Sequence, residues 1–378
     1  MNTIEASLAA AADAQRAIDI RRRVERRLEE QRITAEVMAE HKAVERKPAT
    51  AVDRSKNPFR PTTFDGIVGQ TEAKELVQAY VQHSLDGGEP LDHVLLVGAS
   101  GTGKSTFSHV IAEALGVDIY EVEAPISHAT LMELREVMQY GDILRIEEIH
   151  QQGVGDRRGR ESSTQAEVLY GVMEDRVIAT QDGVLDFPEI TIIGTTTDEG
   201  LLPDAFVGRF PVRPHLDPYS TVELESVASA NAAVMGVTVT TAAARVFAKA
   251  SRGTPRAINN YMRNAAALTV AGRVTAPEAQ RVLRLNKVTE DGLTADMVGA
   301  LTFLLTRAQR KTGKGEIVYQ ASISTIATAI GKSRDSKAVQ LRVEPYLIER
   351  GYLQVSHGGR KLTDAGVARA KRLTGVKP

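Results

Sequence analysis

Gly98-Ala99-Ser100-Gly101-Thr102-Gly103-Lys104-Ser105 fits the pattern G-x-x-x-x-G-K-[ST] at every fixed position. Glycines at 98, 101 and 103 let the backbone turn successive N–H groups toward a polyphosphate, and a helix beginning here adds its positive N-terminal end. Lys104 is placed to reach the β- and γ-phosphates, and the Ser105 hydroxyl to ligate the Mg²⁺ that accompanies ATP. Thr102 and Thr106 complete the stretch expected around the nucleotide. The flanks agree, since Asp92 to Val97 reads as a buried strand and Thr106 to Leu115 as an amphipathic helix.

A chain of 378 residues has room for two or three domains, and 42% hydrophobic with 4% aromatic content reads as an ordinary soluble α-rich protein. No apolar run approaches membrane-spanning length and the N-terminus lacks an apolar signal core, so a cytoplasmic protein without a membrane partner is expected. The absence of cysteine excludes disulfides, thiolate metal sites and cysteine nucleophiles, and the eight histidines show no ligand-like pairing. Formal charge is only −1, but Arg350 to Pro378 carries seven Lys or Arg against the single Asp364. That tail is either a phosphate-contacting surface or a solvated basic face.

Residues 5–47, free of Gly and Pro, predict one or two helices with a thin apolar stripe that seats on an unknown partner, seats on the body of the same protein, or stays solvated. Pro48 to Pro61 reads as a linker. From Phe64 to Pro214, apolar runs at 93–97, 142–149 and 190–194 alternate with helical stretches and predict a parallel sheet covered on both faces. Asp217 to Asn286 reads as wholly helical. Beyond Thr289 the pattern gives a helix near 297–309, another near 323–330, a longer one over 333–350, and two short strands around His357-Gly358-Gly359. Helices followed by a basic hairpin suggest a winged helix.

Hydrolysis also needs a carboxylate for the metal and another to orient water, at the end of a second buried strand. Asp142-Ile143-Leu144-Arg145-Ile146-Glu147-Glu148-Ile149-His150 supplies both, with Glu147 on the metal side and Glu148 toward the water. Adjacent acids ending an apolar strand are costly to hold without a cation nearby.

These features resemble AAA+ ATPases, and most closely the RuvB family of Holliday-junction branch-migration motors. The landmarks run in order from Phe59-Arg60-Pro61 and Ile67-Val68-Gly69-Gln70 through Leu91 to Leu96, Glu148-Ile149-His150, Met173-Glu174-Asp175 and Ile193 to Thr197. Arg252-Gly253-Thr254-Pro255-Arg256 and Glu344-Pro345-Tyr346-Leu347-Ile348 follow and are the more family-specific. The resemblance implies an α/β architecture: an AAA+ parallel-sheet core at 56–216, a helical lid at 217–288 and a winged-helix DNA-binding domain at 289–378, behind an N-terminal extension at 1–55. It also implies that Arg60, Ile67 and Val68 line the adenine pocket, Thr196 reads the γ-phosphate or attacking water, and Arg209 completes a neighbouring subunit's site. Arg256 couples the lid to nucleotide state. A finger acting in trans implies a homo-oligomeric ring, a hexamer by resemblance.

Four departures from the family pattern bear on function. Glu147 stands where the family has Asp, which leaves slow hydrolysis open. Arg145 replaces an apolar strand residue, so that face is either open to solvent or the arginine is paired. Arg176 to Asp186 leaves space only for a short hairpin, so a RuvA-type contact is expected to be weakened or lost. An insertion at 151–164 carries Arg157, Arg158 and Arg160, either as DNA contacts or as a solvated loop. On the winged helix, Arg360 and Lys361 at the wing, with Lys332, Arg334, Lys337 and Arg342 before it, are the expected DNA-binding cations, the alternative being a winged helix that binds protein. The expectation is an ATP-driven motor acting on DNA, and its alternative is an ATP-switched assembly platform or loader with slow hydrolysis.

Overall fold

The computed structural model describes residues 58–152, 168–180, 183–269, 272–311, 315–332 and 336–375. The expected N-terminal helices, the insertion arginines Arg157, Arg158 and Arg160, and Arg334 lie outside the described residues.

After α1 (Thr71–Gly87), β1 (Val94–Gly98) runs into the glycine loop and α2 (Lys104–Leu115). β2 (Ile119–Glu123), α3 (His128–Arg135) and β3 (Ile143–Glu147) follow, then an antiparallel hairpin of β4 (Val177–Thr180) and β5 (Gly183–Asp186), then β6 (Thr191–Thr196), α4 (Asp204–Val207) and β7 (His215–Leu216). The sheet order is β2-β3-β6-β1-β7 with every pairing parallel. Val94, Leu95, Leu96, Ile143, Leu144, Ile146, Ile192 and Ile193 are wholly buried, as strands covered on both faces require. Because β1 lies between β6 and β7 while the chain leaves it for the far edge, a crevice opens at the carboxyl ends of the strands. Gly194 keeps that crevice close-packed, since a Cβ there would lie 2.8 Å from Ile149 Cδ1.

A second core forms around the buried Phe247 from α5 (Thr221–Val234), β8 (Thr238–Val239), α6 (Thr241–Ala250), α7 (Pro255–Leu268), β9 (Arg273–Val274) and α8 (Ala276–Leu285). Ser220 and Glu223 form a capping box that starts α5. The region expected to be wholly helical thus contains a small parallel pair, β8 with β9, that straps α6 to α8.

A third core comprises α9 (Ala295–Arg307), β10 (Gln309–Lys311), β11 (Ile317–Ala321), α10 (Ile323–Ala329), α11 (Ser336–Arg342), α12 (Glu344–Glu349), β12 (Leu353–Ser356), β13 (Gly359–Leu362) and α13 (Asp364–Thr374). Its sheet has four strands, ordered β10-β11-β13-β12, two more than expected. The single helix expected over 333–350 is two helices. Pro345 has no N–H to give and its ring excludes a helical carbonyl four residues earlier, so α11 stops and α12 restarts with proline in its first turn.

Candidate functional site

The carboxyl ends of β1, β3 and β6 face a polar cavity of about 440 Å³ lined by Lys104, Ser105, Glu147, Glu148, Thr195 and Arg256 among others. The loop before α2 reaches its shape through glycine. Gly101 has φ +89 and Gly103 φ +111, and a Cβ on Gly101 would stand 3.2 Å from Arg256 Cβ, so the lid closes directly over the loop. Thr102 is buried and donates to the Ala99 carbonyl at 2.8 Å, so it braces the loop from within. Lys104 Nζ donates to the Gly98 and Ala99 carbonyls. Burial pushes its ammonium below the usual range, Arg256 adds to that, and Glu148 and Glu147 oppose it. A desolvated ammonium that carbonyls hold, with no carboxylate hydrogen-bonded to it among the described residues, is suited to an incoming phosphate anion.

The acids diverge at the end of β3. Glu148 has φ +49, in the left-handed region, at a cost of about 1 kcal/mol. Its Oε2 lies 3.5 Å from the Thr197 hydroxyl and 3.4 Å from His150 Nδ1. Glu147 Oε1 accepts from Arg145 Nη1 at 2.8 Å, and among the described residues no hydrogen bond engages Oε2. A serine hydroxyl and a free carboxylate oxygen on one cavity are hard oxygen donors of the kind Mg²⁺ takes alongside phosphate oxygens. Arg145 is 3% exposed, so of its two expected states it is paired, not solvated.

Beside the polar cavity lies a second cleft of about 330 Å³, where Ile67, Val68, Phe107, Tyr219 and Pro255 supply apolar walls and Thr106 and Asn259 polar edges. Arg60 lines both. Its Nε is buried with no hydrogen-bond partner among the described residues, and burial lowers its pKa despite Glu121 nearby. An apolar slot joined to a cationic one by an arginine with a spare donor fits a nucleotide lying base-first from cleft to cavity.

Three family models match along the chain: the Holliday junction DNA helicase RuvB P-loop domain at 59–216, the RuvB AAA lid domain at 219–289 and the RuvB C-terminal winged helix domain at 318–371. A Holliday junction branch migration complex subunit RuvB from Rubrobacter xylanophilus is 31% identical over 84% of this chain and 87% of its own. That from Myxococcus xanthus is 34% identical over 81% and 87%. The chain belongs to the RuvB family. Among solved structures, the Thermotoga maritima RuvB Holliday junction branch migration motor superposes with a TM-score of 0.69 at 26% identity, covering 85% of this chain and 100% of that one.

Two expected RuvB site residues stand apart from the cavity. Thr196 is fully buried, with its hydroxyl donating to the Asp198 carbonyl and 3.0 Å from His150 Nδ1. Its neighbours Thr195, on the cavity wall, and Thr197, against Glu148, are the threonines that face the site. Three threonines in a row gave no sequence signal to choose between them. Arg209, expected to complete a neighbouring subunit's site, lines a separate pocket, pairs with Glu174 at 2.8 Å and lies 3.8 Å over the Tyr170 ring. Arg256 lines the cavity, its Nη1 donating to Ser100 Oγ at 3.3 Å. Asn260 and Arg263 also line the cavity, and only the fold of α7 brings them there.

On the winged helix, Lys337 and Arg342 are exposed on α11 and Lys361 is half-buried on β13. Arg360 turns inward and forms a fork with Glu344, at 2.9 Å from Nε and 3.0 Å from Nη2, so the structure makes it a brace of the wing. The hairpin is as short as expected, four residues a strand, and α3 ties it down through Arg135 to the Asp186 carbonyl and His128 to the Ala179 carbonyl. Among the described residues no helix is long and apolar enough to cross a membrane.

Proposed function

We propose that this chain is an ATP-hydrolysing motor that drives Holliday junction branch migration. The observation that carries the proposal is the convergence of Lys104, Ser105, Glu147, Glu148 and Arg256 on one polar cavity, next to an apolar cleft sized for a base. Ile67, Val68 and Thr106 hold the base, and Arg60 reaches the sugar–phosphate junction. The loop N–H groups and Lys104 take the β- and γ-phosphates. Ser105 and Glu147 would hold Mg²⁺, which when bound neutralises charge on the phosphates. Glu148 orients the attacking water and accepts its proton at Oε2, with Thr197 fixing the carboxylate. Arg256 carries the lid's response to the γ-phosphate, and Arg209 serves the neighbouring protomer's site in a ring, six subunits by family resemblance.

DNA is bound through Lys337, Arg342 and Lys361 of the winged helix. The domains are assigned to 56–216, 217–288 and 289–378, a division that the three separate cores support. With a hairpin this short, a RuvA-type partner loses its docking arm. The curated relatives are named as branch migration subunits, which favours the motor over a platform or loader.

Glu148→Gln tests the assignment. It is expected to keep ATP binding while steady-state hydrolysis falls about 10²- to 10³-fold and branch migration of a synthetic four-way junction stops. Parental turnover in this variant rules out Glu148 as the water-side base.

A further inference from the structure

Residues two apart on a strand point to the same face, so Arg145 and Glu147 of β3 project together. Arg145 donates through Nη1 to Glu147 Oε1 at 2.8 Å and through Nε to Glu121 Oε1 at 2.9 Å, with Nη2 also 2.8 Å from that oxygen. Its side chain is 4% exposed, so the guanidinium has no solvent to exchange these partners for. Glu121 lies on β2, across the sheet, and its Oε1 is 2.8 Å from Nε2 of the buried His109 on α2, the helix that Lys104 begins. Burial alone would raise the Glu121 pKa, but His109 and Arg145 outweigh it and bring the carboxyl down to about 2, so the anion that anchors Arg145 is permanent. A continuous chain therefore runs from the phosphate-loop helix through His109, Glu121 and Arg145 to Glu147.

Glutamate at 147 has one more torsion than aspartate, and its side chain is 44% exposed at the cavity mouth. Left alone it would sample many positions for the one that meets a metal. Arg145 limits that freedom by taking Oε1, and among the described residues Oε2 keeps no hydrogen bond, on a side chain that lines the cavity. Its charge does not repel a metal strongly, because Glu121 and Glu147 together exceed it.

We infer that Arg145 is a positioning residue that fixes the longer Glu147 carboxylate for Mg²⁺. The inference rests on the assignment of Glu147 to the metal side of the ATP site. The arginine and the glutamate form a matched pair: the clamp restores the definition that the extra methylene loses.

The test is equilibrium binding of a fluorescent ATP analogue to the full-length protein as Mg²⁺ is titrated, with an EDTA-treated sample giving the metal-free affinity. Arg145→Met is expected to raise the Mg²⁺ midpoint about tenfold, as loss of an outer partner of a ligand does, while metal-free affinity stays at the parental value. Arg145→Lys keeps a cation against Glu121, protects the fold, and is expected to give a smaller shift in the same direction. In a Glu147→Gln background, Arg145→Met is expected to add nothing further. A Glu147→Gln protein with an unchanged midpoint overturns the metal-side assignment itself. If Glu147→Gln shifts the midpoint while the Arg145 variants bind Mg²⁺ as the parent does or more tightly, the clamp alone is overturned.

Discussion

At position 148 the chain accepts a left-handed backbone without glycine, and the side chain it presents there is a carboxylate facing the threonine at 197. Thr196 and Thr197 differ in what their hydroxyls serve. Thr196→Val removes the acceptor of the Asp198 N–H and one of the partners of half-buried His150 Nδ1 and is expected to cost about 1 kcal/mol in denaturant unfolding. Thr197→Val is expected to leave stability unchanged and to lower kcat about tenfold through Glu148; the reverse pattern would return the role to Thr196. Lys104, Ser105 and Glu148 were legible in the sequence because loop spacing and the end of an apolar strand encode their placement locally. The pairing of Arg145 was not, because Glu121 is 24 positions away and only the β2–β3 register brings it alongside.

Among the elements, the strands of the central sheet could be read from continuous apolar runs. β10 could not, since Gln309, Arg310 and Lys311 are all exposed and carry no alternation. The break at Pro345 is the opposite case, a local rule that ends one helix and starts another inside an otherwise helical run. On the wing, adjacent cations do different work. Arg360→Ala leaves the buried Glu344 carboxylate unpaired and is expected to destabilise the winged helix by roughly 3 kcal/mol. Lys361→Ala is expected to leave unfolding unchanged but to weaken DNA binding and reduce the slope of log K against log salt by about 0.9. A parental salt slope in Lys361→Ala would remove it from the phosphate contacts.

For the whole molecule, the proposed ring makes each site dependent on the next protomer. Arg209→Ala and Lys104→Ala proteins are each expected to lack hydrolysis, and mixing them is expected to recover part of it, because some interfaces then pair an intact loop with an intact finger. No recovery at any mixing ratio would show that Arg209 serves its own subunit.

Arg256 touches Ser100 of the phosphate loop, and Arg252, four positions earlier, lies 5.4 Å from the Tyr346 ring and 4.0 Å from Met297 Sδ of the winged helix. Tyr346 in turn donates to the Asp291 carbonyl at 2.6 Å, and Arg369 grips the Asp291 carboxylate through two hydrogen bonds. In mechanical terms Arg256, Arg252, Tyr346, Asp291 and Arg369 form a linkage from the phosphate loop to the third core. A tilt of the lid at Arg256 is expected to be felt along this linkage in the third core, since each step is a direct contact.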